Sequence, residues 1–315
     1  KIFIIEDWTK IFCDLPMLLS CATGSEQFLG SEAIASYATA KAVILPIPYE
    51  ATTTYRKGCE TGPAAVITAS QQLEAYDEEL KRETCLEVGI YTHDAIADTR
   101  QQPQLSAEEM LAVTTATVSR LIADDKFVVA VGGEHAITTG VVQAYRQALS
   151  EPFTVVQIDA HGDMRFEYEG SHHNHACVMR RVLEMGLPTL PVGIRAICRE
   201  EAELIAKQQI PVVWDRDIAG DPNWIEKAIA KISTEKVFLT IDVDGIDPAL
   251  IPGVGTPEPG GLSWHQTLGF LRRLFQTHQV IGCDVMELAP IRDSVVSEFT
   301  TAKLIYKLIG YQFIA

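Results

Sequence analysis

The chain has 315 residues, 47% hydrophobic and 22% charged, which is the profile of a globular protein with a sizeable core and not of a disordered or fibrous one. Its formal net charge of −16 at pH 7 argues against nucleic-acid or anionic-membrane binding, both of which need a basic footprint, and favours a small cationic substrate. The seven cysteines are scattered, odd in number and without a C-x-x-C pair, so neither a disulfide framework nor a thiolate zinc site is indicated and a cytoplasmic setting is expected.

The first ~35 residues lack a clear hydrophobic period, and residues 1–40 are expected to form an N-terminal extension ahead of a catalytic domain at 41–315. The apolar run from Leu15 to Cys21 is too short to span a bilayer and follows Glu6, Asp7 and Asp14, a poor start for a signal peptide. Beyond it, short apolar, β-branched runs recur at 42–47, 127–131, 153–158, 191–194, 211–214, 237–241 and 280–285. These read as buried parallel strands. Helical patterns lie between them at 107–123, with apolar Met110, Leu111, Val113, Val118 and Leu121, and at 225–232. Alternating strands and helices imply an α/β fold with helices on both faces of a parallel sheet.

Three polar segments directly follow or end these strands: Gly132-Gly133-Glu134-His135, Asp159-Ala160-His161-Gly162-Asp163 and Asp242-Val243-Asp244-Gly245-Ile246-Asp247-Pro248. Ligands of open α/β sheets bind outside the carboxyl ends of the strands, so segments far apart in sequence can meet there. In an extended backbone, Asp159, His161 and Asp163 would point to one face. Gly132 and Gly133 would let the chain pass close to the site beside His135. Together His135, Asp159, His161, Asp163, Asp242 and Asp244 supply four carboxylates and two neutral imidazoles, which balance two divalent cations. Oxygen-rich ligation without thiolate suits Mn2+, and Fe2+, Co2+ or Ni2+ fit the same donors.

On these segments the chain resembles the ureohydrolase family of arginases and agmatinases. The likeness extends over residues 42–311, taking in Pro46-Ile47-Pro48-Tyr49-Glu50, Gly62-Pro63, 255–262 and Asp284-Val285-Met286-Glu287-Leu288-Ala289-Pro290. The resemblance implies a three-layer α/β/α fold around a mostly parallel, roughly eight-stranded sheet. It also implies a pair of manganese ions, hydrolysis of a guanidino group to urea and an amine, and a trimer or hexamer. By the same likeness, His135, Asp159, Asp163 and Asp242 hold one metal, and Asp159, His161, Asp242 and Asp244 the other. A hydroxide bridging the metals would attack the guanidino carbon, with Asp163 accepting its hydrogen bond. Glu287 would pair with the guanidinium. His175 would return a proton to the departing amine, and its place before Ala176 favours it over His172 and His173.

Two positions depart from the family pattern. Glu134 stands where an aspartate is usual, a longer side chain that is not counted as a ligand. Arg165 stands where arginases typically carry an asparagine that contacts the amino-acid end of arginine, which disfavours that substrate. The following 166–170 segment looks like that of agmatinase-like proteins, so agmatine, giving putrescine and urea, leads over guanidinobutyrate, guanidine and arginine. Glu167 or Glu169 could meet a cationic tail, although a solvated loop charge explains either better. Cys177 reads as a small buried apolar residue. A catalytically silent binding or regulatory oligomer would have lost ligands, and none is lost here.

Overall fold

The computed structural model describes residues 27–30 and 35–314, so most of the expected N-terminal extension, with Cys13 and Cys21, lies outside the described residues. Strand β1 is Ala42–Ile47, followed by a small antiparallel hairpin of β2 (Tyr76–Asp77) and β3 (Arg82–Glu83), and by β4 (Ile90–Thr92). Then come β5 (Phe127–Gly132), β6 (Thr154–Ile158), β7 (Thr189–Ile194), β8 (Val213–Trp214), β9 (Lys236–Asp242) and β10 (Gln279–Met286). Eight of these form one sheet in the order β4-β1-β5-β10-β9-β6-β7-β8. Every pairing within it is parallel.

The strands are apolar throughout because both of their faces are covered. Alternate residues feed two separate cores. Ile44, Val129, Val156 and Leu239 pack on one side with Phe270 and Leu274 of helix Trp264–Thr277 and with Leu304 and Leu308 of helix Val296–Phe313. Val43, Val128, Val155 and Phe238 pack on the other with Met110 and Val118 of helix Ala107–Ala123 and with Val141 and Tyr145 of helix Thr138–Ala148. This is the three-layer α/β/α arrangement, and each buried Val, Leu or Ile contributes about 2 kcal/mol relative to exposure. Helix Ala107–Ala123 has the expected bounds and a full capping box, in which Ser106 and Glu109 satisfy each other's backbone N–H groups. The helix expected at 225–232 is shorter, Trp224–Ile229. The edge strand β4 went unread because three residues carry too little pattern.

The C-terminal helix carries an ionic anchor in the interior. Lys307 Nζ donates to Asp77 Oδ1 at 2.8 Å and to Glu79 Oε2 at 3.1 Å, and the Lys307 and Asp77 side chains are each only 1% exposed. Glu79 also accepts from Tyr311 and Arg272. Burial alone would raise both carboxyls, but these donors outweigh it and hold Asp77 and Glu79 below the usual carboxylate range. Depressed folded values mean that this stabilisation is in place above about pH 4 and is lost as pH falls further. Lys307→Met strands two carboxylates without their shared cation and is expected to cost about 3 kcal/mol in urea unfolding at pH 7. An unchanged midpoint would show that the anchor contributes nothing.

Candidate metal centre

The four central strands, β5, β10, β9 and β6, end side by side, and each delivers polar residues at its carboxyl end. His135 follows β5, Asp159 follows β6, Asp242 closes β9, and Glu287 follows β10. Parallel register brings the ends level: Val285 pairs with both Val131 and Ile241, and Ile241 with Ile158. Two glycines permit the close approach. A Cβ on Gly133 would strike the Tyr49 carbonyl, and one on Gly245 would lie 2.6 Å from the Asp159 nitrogen.

The local conformations are less regular than an extended run. His161 makes only an isolated bridge to Ala196, and Asp163 turns into the left-handed region at φ 51°. Its carbonyl accepts from the backbone of Met179 at 2.9 Å, which holds the strained turn in place. Val243–Gly245 is a 3-10 turn, capped by Asp242 Oδ1, which accepts from Asp244 N at 2.8 Å. Asp242 therefore caps a turn with one oxygen and presents the other to the site. Glu287 is also left-handed, at φ 67°.

Around these turns the six residues counted from the sequence converge. His135 Nδ1 lies 3.2 Å from Asp159 Oδ2, 3.2 Å from Asp163 Oδ2 and 3.4 Å from Asp242 Oδ2. His135 is fully buried, and Nδ1 has no hydrogen-bond partner while Nε2 contacts Thr240 Oγ1 at 2.8 Å. An Nε2–H donated to Thr240 leaves the Nδ1 lone pair facing three carboxylate oxygens, which is the disposition of donors around a cation. A second group adjoins the first through Asp159: His161 Nδ1 lies 2.8 Å from Asp244 Oδ2 and 3.7 Å from Asp159 Oδ1. The triads His135, Asp159, Asp163 and Asp159, His161, Asp244 each have ligand atoms within 4.8 Å of one another.

The electrostatics call for positive charge. Burial, reinforced by the charges of Asp163 and Asp244, pushes Asp159 up to about 7. Burial, with Asp244 and Asp159 beside it, raises Asp242 well above the usual carboxylate range. Burial would lower the two imidazoles, but the surrounding carboxylates override it and raise both, His161 to about 11. The donor set fits divalent cations, which would neutralise this repulsion.

A cavity of about 300 Å3 opens over the cluster, lined by His161, Asp163, His175, Asp244, Glu258 and Glu287 among others. Glu287 Oε1 accepts from His135 N at 2.7 Å and lies 3.8 Å from His175 Nδ1. His175 Nε2 is buried without a partner. His172 is exposed against Phe166, whereas His173 is only partly exposed and lines a different cleft. Glu167 and Glu169 are exposed and line none of this cavity, and Glu167 lies 3.7 Å from His172. Arg165 lines the cavity, its guanidinium 4.5 Å from the Tyr168 ring centre. The Cys177 thiol is buried, and burial lifts it to about 11, so it carries no thiolate near neutral pH.

Three contributors went unread in the sequence. Gln157 donates to Asp159 Oδ2 at 2.7 Å, and Thr240 supports His135. Each stands two residues before a strand-end aspartate, so a polar residue in step with Asp159 or Asp242 in an otherwise apolar strand was the available signal. Glu258 was read only as part of a matching segment. Its carboxylate has no protein partner among the described residues.

Comparison with known proteins shows the family. The model of the arginase family matches residues 40–310. The chain is 66% identical over 289 residues to the N(1)-aminopropylagmatine ureohydrolase of Synechocystis sp., covering 92% of this chain and 94% of that protein. It is 34% identical to the enzyme of the same name from Thermus thermophilus, covering 87% of this chain and 91% of that one. The crystal structure of agmatine ureohydrolase of Thermoplasma volcanium superposes with a TM-score of 0.80 at 30% identity, covering 92% of this chain and 95% of that chain.

Because the buried carboxylates repel one another, Asp242→Asn is expected to raise the thermal midpoint of chelator-treated protein at pH 8 by about 2 °C. The same change should shrink the increase produced by adding manganese. A variant that loses stability in chelator and gains as much as the wild type from manganese would refute this reading.

Proposed function

The chain belongs to the arginase family and is a ureohydrolase, and from that premise we propose that it removes urea from N1-aminopropylagmatine in preference to agmatine. The observation that carries the substrate class is the 66% identity to a protein of that name along 92% of the chain. Agmatine itself is the nearest alternative, as the name of the Thermoplasma volcanium structure indicates. Both substrates present a guanidinium at one end and a cationic amine chain at the other. Glu258, half-buried in the cavity wall and without a protein partner, offers a carboxylate to that chain. Arg165, packed on Tyr168 in the cavity lining, gives the pocket a second shape constraint.

His135, Asp159, Asp163 and Asp242 are assigned to one divalent cation, and Asp159, His161, Asp242 and Asp244 to a second. Bound there, two cations supply an acidified water and neutralise charge that builds on the reacting centre. Asp163 is held in its left-handed turn with one oxygen toward His135, so its other oxygen is available to accept a hydrogen bond from the attacking water. Glu287 lines the cavity and can accept hydrogen bonds from the guanidinium, turning its planar carbon toward that water. The C–O bond then forms from water, the C–N bond to the alkyl amine breaks, and urea and the free amine are released. His175 Nε2, buried and unpartnered at the cavity wall, delivers the proton that the departing amine nitrogen needs. With the aminopropyl substrate the amine product is the triamine spermidine; with agmatine it is putrescine.

A panel of urea-release assays with manganese tests this. The kcat/KM on N1-aminopropylagmatine should exceed that on agmatine about tenfold or more, with guanidinobutyrate, guanidine and arginine far behind. Equal or greater kcat/KM on agmatine would overturn the assignment to the aminopropyl substrate, and a preference for arginine would overturn the substrate class. Asp163→Asn should cut kcat about a thousandfold while the protein stays folded, and near-normal turnover would remove Asp163 from the reaction.

A further inference from the structure

We propose that Glu134 and Thr52 are positioning residues that hold the His175 turn against the reaction cavity, a role rooted in the departure of Glu134 from the aspartate usual in the family. The Glu134 side chain is completely buried and turns away from the carboxylate cluster, toward the loop that follows β1. Its Oε2 accepts from the backbone nitrogens of Ala51 and Thr52, each at 2.6 Å, and its Oε1 accepts from Thr52 Oγ1 at 2.7 Å. The Thr52 hydroxyl proton is committed to the carboxylate, so the hydroxyl oxygen is free to accept. It accepts from His175 N at 3.0 Å.

The chain of contacts thus runs from the turn that carries His135, through a buried carboxylate and one hydroxyl, to the backbone of His175. Within the His175 turn, Asn174 Oδ1 accepts from Ala176 N at 3.0 Å and Asn174 O from Cys177 N at 2.9 Å, and Ala176 O accepts from Arg165 N at 3.2 Å. None of these bonds reaches the loop after β1. The bond to the Thr52 hydroxyl does so, and that loop is itself anchored by Glu50, which accepts from Thr53 Oγ1 at 2.6 Å and Gly58 N at 2.9 Å. Side-chain length matters here. An aspartate on the same backbone would withdraw the carboxylate by about 1.5 Å, beyond hydrogen-bond reach of all three donors.

This inference rests on the reading of His175 as the group that delivers the proton, and a double-mutant cycle on the manganese-loaded enzyme separates the two. Thr52→Val should lower kcat about tenfold, with KM and bound manganese within about twofold of wild type. Thr52→Ser should restore most of the rate. Glu134→Asp should reproduce the Thr52→Val defect. In a His175→Asn background, Thr52→Val should cost less than about twofold, because the group it positions is gone. Thermal midpoints of each variant confirm folding, and Thr52→Ala carries the same expectation if Thr52→Val does not fold. An undiminished Thr52→Val loss in the His175→Asn background would overturn the positioning role alone. Wild-type kcat in His175→Asn would overturn the reading of His175 and this inference with it.

Discussion

Asp159, Asp163, Asp242 and Asp244 meet in the interior, each less than a tenth exposed, and four such carboxylates cannot all stay ionised without positive charge among them. Much of the surrounding structure follows from this constraint. His135 is fixed through Thr240 so that its free nitrogen faces three carboxylate oxygens, and Gln157 holds Asp159 from the strand side. The left-handed turns at Asp163 and Glu287 are tolerated because backbone bonds from Met179 and to Gly133 hold them. An arrangement so costly to the metal-free chain is explained by the cations it would bind, whose affinity offsets the repulsion.

The sheet makes the arrangement possible. Its order places β5, β10, β9 and β6 next to one another, so residues around 135, 287, 242 and 159 become neighbours although more than a hundred and fifty positions separate the outermost. Covering both faces with helices leaves the strand ends as the place where polar groups can gather beside an apolar interior. The loop after β1 then closes one side of the cavity, tied to the sheet by Glu134 and to the His175 turn by Thr52.

Much of this was legible in the sequence. Apolar β-branched runs located the long strands, because burial on both faces leaves an unbroken hydrophobic signature, and the three acidic segments stood out as charge at strand ends. The extended geometry inferred for 159–163 holds only in part: His161 keeps a sheet-type bridge to Ala196, whereas Asp163 turns left-handed with its carbonyl held by Met179. The β4 edge was too short to announce itself. Glu258 could not be read from spacing, because only the fold turns its loop toward the cavity. Glu134 was visible as a departure, but what its extra methylene reaches is set by a loop some eighty residues earlier.

On this reading the carboxylate and imidazole cluster holds two divalent cations. Elemental mass spectrometry of protein stripped by chelator, reconstituted with manganese and freed of excess ion by gel filtration tests it directly. The expected result is about two manganese ions per chain, with His135→Ala retaining about one. No manganese retained by the wild-type chain, or an undiminished amount in a chain that combines Asp159→Ala and Asp242→Ala, would show that the cluster does not hold them.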